Sequence, residues 1–218
     1  MVVLGTGTDV GKTWVSACVL ATLRQAGVTV AARKPAQSFE AGDDPLRLDS
    51  AVLGDATGEP SETVCLPHRW YGVAMAPPMA ADVLGRDRIT TAGITAELTW
   101  PAEGVDVGLV ESAGGVRSPQ THDGDAVALV AALAPDVVLL VADAGLGTIN
   151  SVRLSVGALA GTTEASNVVI VLNRFDESDD LHRRNRTWLI DQDGITVVAL
   201  PGQEVELAAM VRGATSAP

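Results

Sequence analysis

Aromatic side chains are scarce in this chain: Phe, Trp and Tyr together make up 3% of its 218 residues. A core built almost without rings must be filled by Val, Leu, Ile and Ala, which is the composition of a buried parallel sheet. Cysteine is nearly absent as well. Cys18 and Cys65 are too few and too far apart for a disulfide framework or a zinc site, and a reducing cytoplasm is the simplest setting for such a chain. Neither thiol is given a role. No window approaches the ~20 unbroken apolar residues that a membrane-crossing helix needs. The opening residues run straight into a glycine loop with no basic leader or cleavage site, so neither export nor a membrane partner is expected. Positive charge is also in short supply, with 15 Lys and Arg against 27 Asp and Glu and a formal net charge of -12. That balance gives no electrostatic footprint for a nucleic-acid backbone or an anionic lipid surface, and nucleic acid is excluded as a partner.

What is present is a globular pattern, 47% hydrophobic and 19% charged, in a length that fits one domain over residues 1–218 with a sizeable core. Short β-branched runs predict strands over 2–4, 28–32, 105–110, 136–141, 168–172 and 195–200. Helical spacing fills 12–26, 124–133, 149–160 and 181–191 between them. Alternating strand and helix implies right-handed crossovers and a mostly parallel α/β sheet with helices on both faces. Residues 39–100, rich in Gly, Pro and Asp, read as a substrate-side insertion over the strand ends, and the tail from Gly213 reads as frayed. Ligands of open α/β sheets sit beyond the carboxyl ends of the strands, so the residues following each strand carry the functional questions.

After the first strand comes Gly5-Thr6-Gly7-Thr8-Asp9-Val10-Gly11-Lys12-Thr13, a glycine-rich turn that leads directly into a helix. This arrangement offers backbone N–H groups and a helix N-terminus to phosphate. Lys12 would reach the β- and γ-phosphates of ATP, and the Thr13 hydroxyl would ligate Mg²⁺. The loop is a variant, because Thr6 stands where the usual motif has its first glycine and Gly5 lies one residue earlier. A chance glycine turn is the competing reading, which the strand before it and the helix after it disfavour. The fold expected is therefore P-loop NTPase-like.

Lys34 closes the second strand and would lie beside the phosphate loop if the first two strands are neighbours; otherwise it is a solvated strand-end lysine. Glu111 follows an apolar strand and precedes the small-residue run Ser112-Ala113-Gly114-Gly115. A carboxylate at a buried strand end needs a partner. Mg²⁺ held with Thr13 would serve, as would a salt bridge to Lys12 or Lys34, and both readings keep Glu111 at the site. Asp43, Asp44 and Asp49 crowd the start of the insertion and offer one further metal ligand among surface charges. The turn before Ile149 and Asn150 exposes N–H groups where a substrate anion could dock. Asn173 and Pro201 end later strands, either framing a base or serving as ordinary turn residues. His68, His122 and His182 lack metal-ligand spacing and read as surface or loop histidines.

Taken in order, the phosphate loop, Lys34-Pro35, the run from Val110 to Gly115, Leu146-Gly147-Thr148-Ile149-Asn150 and Asn173 through Pro201 resemble the dethiobiotin synthetases. These belong to the deviant P-loop group that also holds cobyrinate synthases and partitioning ATPases. The resemblance implies closure of the ureido ring of dethiobiotin in biotin biosynthesis from 7,8-diaminopelargonate, CO₂ and Mg·ATP, by a cytoplasmic homodimer. On that pattern Asp9, Val10, Gly11, Lys12 and Thr13 bind ATP with Asn173 and Pro201 at the adenine. Thr13, Asp49 and Glu111 surround Mg²⁺, while Lys12, Lys34 and Thr8 serve the chemistry. Ser38, Gly147, Thr148, Ile149 and Asn150 hold the substrate. The chain departs from the pattern at Asp9, where the family usually has glutamate, and at Ser112, where it has glycine. A partitioning-type switch would carry an additional lysine early in the loop, and residues 5–10 contain none. An amidotransferase-linked ligase would need a glutaminase domain for which there is no room. A related P-loop paralogue acting on another substrate, or as a nucleotide-dependent switch, is the remaining alternative.

Overall fold

The computed structural model describes residues 1–40, 42–164 and 167–215. Its main sheet has six strands, β1 Val2–Gly5, β2 Val30–Arg33, β5 Val107–Glu111, β6 Val138–Asp143, β7 Val168–Asn173 and β8 Val197–Ala199. They lie in the order β2-β5-β1-β6-β7-β8 and every pairing is parallel. Strand alternation divides the core. Val3, Leu139, Val141, Val171 and Val198 face a layer containing α1 Lys12–Gln25 and α9 Glu204–Thr215. Val2, Leu4, Leu140, Ile170 and Leu172 face α6 Ala126–Leu133, α7 Thr148–Leu159 and α8 Asp180–Asp191. Both faces of each central strand are thus buried, so the runs are continuously apolar instead of alternating with polar residues. Each such Val or Leu contributes about 1.5–3 kcal/mol through its removal from water.

Strands β2, β5, β6 and β8 each begin two residues later than their apolar runs. Val28 is still part of the turn that closes α1, its N–H donating to the Leu23 carbonyl at 3.1 Å, and the ladder with β5 starts at Val30. The insertion is more than a cover for the strand ends. Its helices α2 Asp49–Thr57 and α3 Ser61–Val64 send Leu53 and Val64 into the same core layer as α1. A two-stranded parallel pair, β3 Gln37–Ser38 and β4 Trp70–Tyr71, joins α4 Pro77–Val83 and α5 Thr91–Glu97 around the fully buried Tyr71. From Gly213 to Thr215 the chain differs from expectation, because α9 runs through these residues, held by Leu207 and Val211 in the core, while residues 216–218 lie outside the described residues.

Strand β1 sits where the chain changes direction: β2 and β5 lie on one side of it and β6, β7 and β8 on the other. A ligand crevice is expected above such a switch point.

Candidate active site

A cavity of about 830 Å³ opens over the carboxyl ends of β1, β2 and β5, with Thr8, Lys12, Thr13, Lys34, Ser38 and Asp49 in its walls. The volume lies in the range of small-molecule sites. The unusual phosphate loop has a steric reason. A Cβ at Gly5 would stand 2.8 Å from the Gly7 carbonyl oxygen and 3.1 Å from Lys12 Cδ. Thr6 instead continues the sheet, its N–H donating to Val141 at 2.9 Å, so the glycine requirement falls one position earlier than usual. Gly11 begins α1 at φ 92 with no side-chain cap. Helices α5, α6 and α8 are capped by Thr90, Asp125 and Asp179, whereas α1 begins without a side-chain cap at the wall of the cavity, where its first N–H groups can receive an external anion.

The side chains behind the loop form one network. Thr13 Oγ1 lies 2.7 Å from Asp49 Oδ1 and 2.9 Å from Glu111 Oε1, and Ser16 Oγ donates to Glu111 Oε2 at 2.6 Å. Lys34 Nζ sits between the acids, 2.7 Å from Asp49 and 2.8 Å from Glu111, and also donates to the Ser112 carbonyl at 3.2 Å. Strands β1 and β2 are not neighbours, since β5 lies between them. Lys34 reaches the site across the end of β5, through Glu111. Asp49 is positioned by a reciprocal pair in which Gln37 Nε2 donates to Ser50 Oγ at 2.9 Å and Ser50 N–H donates to Gln37 Oε1 at 3.0 Å. Asp44 is turned away and caps a short 3-10 helix, Pro45–Arg47, while Asp43 reaches the cavity wall.

The two lysines differ electrostatically. Burial pushes Lys12 down to about 8, and the Lys34 charge adds to the fall, only partly offset by Glu111, Asp49 and Asp9. Burial also opposes the Lys34 charge, but Asp49 and Glu111 outweigh it and hold Lys34 above the ordinary lysine value. Asp49 is correspondingly held low: burial works against its charge, and Lys34 with the Thr13 hydroxyl more than compensates. Cys65 is inert, its thiol pushed up to about 12 by burial.

Other residues singled out from the sequence lie elsewhere. Gly147, Thr148, Ile149 and Asn150 start α7 and do not line the large cavity. Asn150 lines an adjoining groove of about 540 Å³ that shares Thr8 and Ser118 with it. Gly147 begins α7 at φ 92 without a side-chain cap, and the buried Thr148 Oγ1 has no hydrogen-bond partner among the described residues. Asn173 is buried and donates to the Val10 carbonyl at 2.9 Å, and Pro201 is exposed outside the cavity wall. Ser112 is fully buried with its hydroxyl unpartnered. His122 is a loop histidine, but its side chain is enclosed, bridging the Ile89 backbone and Asp82 with 6% of it exposed. Sequence reasoning missed Ser16 and Arg174. Ser16 lies four residues after Lys12 on the same helix face, a spacing that could have revealed it. Arg174 carries no such signal.

Residues 1–205 match the AAA domain family. The ATP-dependent dethiobiotin synthetase of Haloferax mediterranei is 36% identical over 200 residues, spanning 91% of this chain and 82% of that protein. That of Rhodococcus jostii is 32% identical over 217 residues, 99% of this chain and 92% of that one. The synthetase of Anaeromyxobacter dehalogenans is 38% identical over 180 residues, 82% and 78% of the two chains. With a phosphate loop at the switch point of a parallel sheet, and relatives matching over most of both lengths, the chain belongs to the dethiobiotin synthetase family.

Proposed function

We propose that this protein closes the ureido ring of dethiobiotin from 7,8-diaminopelargonate, CO₂ and ATP. One substrate nitrogen adds to CO₂ and loses a proton to give a carbamate. A carbamate oxygen then takes the γ-phosphoryl group, releasing ADP. The second nitrogen attacks the carbamoyl carbon, expels inorganic phosphate and loses a proton to it or to solvent, which closes the ring. The observation that carries this reading is the convergence of Lys12, Thr13, Lys34 and Asp49 on one cavity, with Glu111 buried behind them and bonded to Thr13 and Lys34. Such chemistry requires positioning and charge stabilisation, not a covalent enzyme intermediate.

Residues 9–13 receive the phosphates, with Lys12 supplying the mobile positive charge. Lys34, fixed between two carboxylates, supplies a permanent one where carbamate and phosphoryl oxygens meet. The Thr13 hydroxyl and the carboxylates of Asp49 and Glu111 form an all-oxygen donor set suited to Mg²⁺, which uses one or two carboxylates together with phosphate oxygens and water. When bound there, Mg²⁺ would neutralise charge on the β- and γ-phosphates. Thr8 and Ser38 line the cavity, and we assign them to the diamine by family resemblance. Asn173 and Pro201 are assigned to the base by family resemblance.

Residues 147–150 serve the substrate carboxylate in a homodimer, with the loop supplied across the interface. Support for an anion at this loop comes from the uncapped α7 N-terminus and the unpartnered Thr148 hydroxyl, while the homodimer rests on family resemblance alone. Among the described residues no helix is long and apolar enough to cross a membrane, and we assign the protein to the cytoplasm.

Phosphate release from Mg·ATP, measured with and without the diamine and bicarbonate, tests the reading. Release should require both, the product should have the mass of the cyclic urea, and Lys12→Met should abolish turnover. Nucleotide binding without substrate-dependent release would refute the synthetase activity.

A further inference from the structure

Strand β7 ends at Asn173, and two consecutive side chains there grip two consecutive carbonyls of the phosphate loop. Asn173 Nδ2 donates to the Val10 carbonyl at 2.9 Å, and Arg174 Nη2 donates to the Asp9 carbonyl at 2.6 Å. The other arm of the guanidinium, Nη1, lies 3.0 Å from Asp143 Oδ2. Asp143 in turn accepts from the Gly145 N–H at 2.9 Å, which ties the assembly to the end of β6. Asp9 and Arg174 both sit at positive φ, 58 and 56, a conformation uncommon for residues other than glycine. The backbone at each end of this contact is therefore held in an unusual state.

In a trans peptide the carbonyl and the following N–H point in opposite directions. Drawing the Asp9 and Val10 carbonyls toward β7 turns the N–H groups of Val10 and Gly11 away from that strand end. A nest of backbone donors for phosphate depends on such an orientation. A partly exposed Arg–Asp pair alone would contribute little. What sets this pair apart is that the arginine also holds the loop's backbone.

We propose that Arg174 is a positioning residue for nucleotide binding, its guanidinium braced by Asp143 and holding the phosphate loop through the Asp9 carbonyl. The inference rests on the reading of residues 5–13 as the nucleotide site. It assigns Arg174 no contact with the reacting atoms.

Calorimetry with a non-hydrolysable Mg·ATP analogue on wild type, Arg174→Ala, Arg174→Lys and Arg184→Ala tests it. Arg184 lies on α8 in an exposed pair with Asp180 and controls for loss of a surface arginine. Arg174→Ala should weaken binding about tenfold, the scale of one charge-assisted hydrogen bond. The KM for ATP should rise in proportion while kcat changes little. Arg174→Lys should fall between, Arg184→Ala should match wild type, and millimolar guanidinium should restore part of the affinity of Arg174→Ala. The proposal is overturned if Arg174→Ala binds the analogue as wild type does. It is equally overturned if the loss of affinity merely follows a loss of thermal stability and guanidinium gives no rescue. Failure of wild type to bind the analogue would instead overturn the nucleotide-site reading on which the proposal stands.

Discussion

The lowered pKa of Lys12, about 8 in the free protein, makes nucleotide affinity depend on pH within an accessible range. A bound triphosphate favours the charged form and should return Lys12 toward its ordinary value of 10.5 or above. Between the two pKa values only the protonated fraction binds well, so affinity falls by a factor of 1 + 10^(pH − pKa). That factor is about 2 at pH 8 and about 11 at pH 9, and linkage requires uptake of about half a proton on binding at pH 8. Calorimetry with a non-hydrolysable Mg·ATP analogue, from pH 7 to 9.5 in buffers of different ionisation enthalpy, measures both quantities. Lys12→Arg keeps its charge throughout and should show neither the slope nor the proton uptake. For stability without ligand the sign reverses. The unfolded chain keeps the Lys12 proton to about pH 10.5, whereas the folded chain releases it near 8, so this group makes stability rise with pH between those values and contributes no slope below them. An affinity that is constant from pH 7 to 9.5, with no proton uptake, would refute the premise that Lys12 is poised near neutrality.

Replacing Lys34 by Met removes the cation that lies between Asp49 and the fully buried Glu111 and bonds to both. Urea unfolding should show a loss of about 3–5 kcal/mol, largely recovered in Lys34→Met/Glu111→Gln; an unchanged midpoint in the single variant would contradict the network. A Cβ at Gly115 would lie 3.3 Å from Gly7 Cα and 3.4 Å from the Thr6 carbonyl oxygen. Gly115→Ala should therefore displace the phosphate loop and raise the KM for ATP, with a stability change within about 1 kcal/mol. Unaltered kinetics would mean that the loop yields without consequence.

The strands and the phosphate loop were legible because both depend on local pattern: continuous apolar runs for strands buried on two faces, and glycines where backbone approaches a ligand. Strand limits were displaced because a ladder begins where its partner begins, and Val28 belongs to the closing turn of α1 despite its β-branched side chain. The helices of the insertion were blurred by Gly, Pro and Asp, yet Leu53 and Val64 are core residues whose burial depends on the distant face of α1. Lys34 and Glu111 were identified individually. A salt bridge between them was one of the partners open to Glu111, but the route by which they meet was not legible, because it depends on β5 lying between β1 and β2, an ordering that no local signal encodes. Arg174 was invisible for the same reason, since its carbonyl partner lies at Asp9, 165 residues away.

The two lysines divide the electrostatic work through their surroundings. Counting formal charges, Lys12 and Lys34 balance Asp49 and Glu111, so this inner set is neutral before any ligand enters. A nucleotide is therefore not drawn in by an excess of positive charge, and a chain with a net charge of -12 offers no long-range attraction either. What remains is short-range and directional: the uncapped start of α1 and the Lys12 ammonium, both effective only once phosphate is in place. Lys34, with its pKa raised by two carboxylates, keeps its proton and acts as a fixed charge. Lys12, whose charge burial disfavours, gains most when phosphate supplies the anion it lacks. The site thus discriminates by geometry: an anion that fails to reach both the helix start and Lys12 gives up the interactions that make its desolvation favourable.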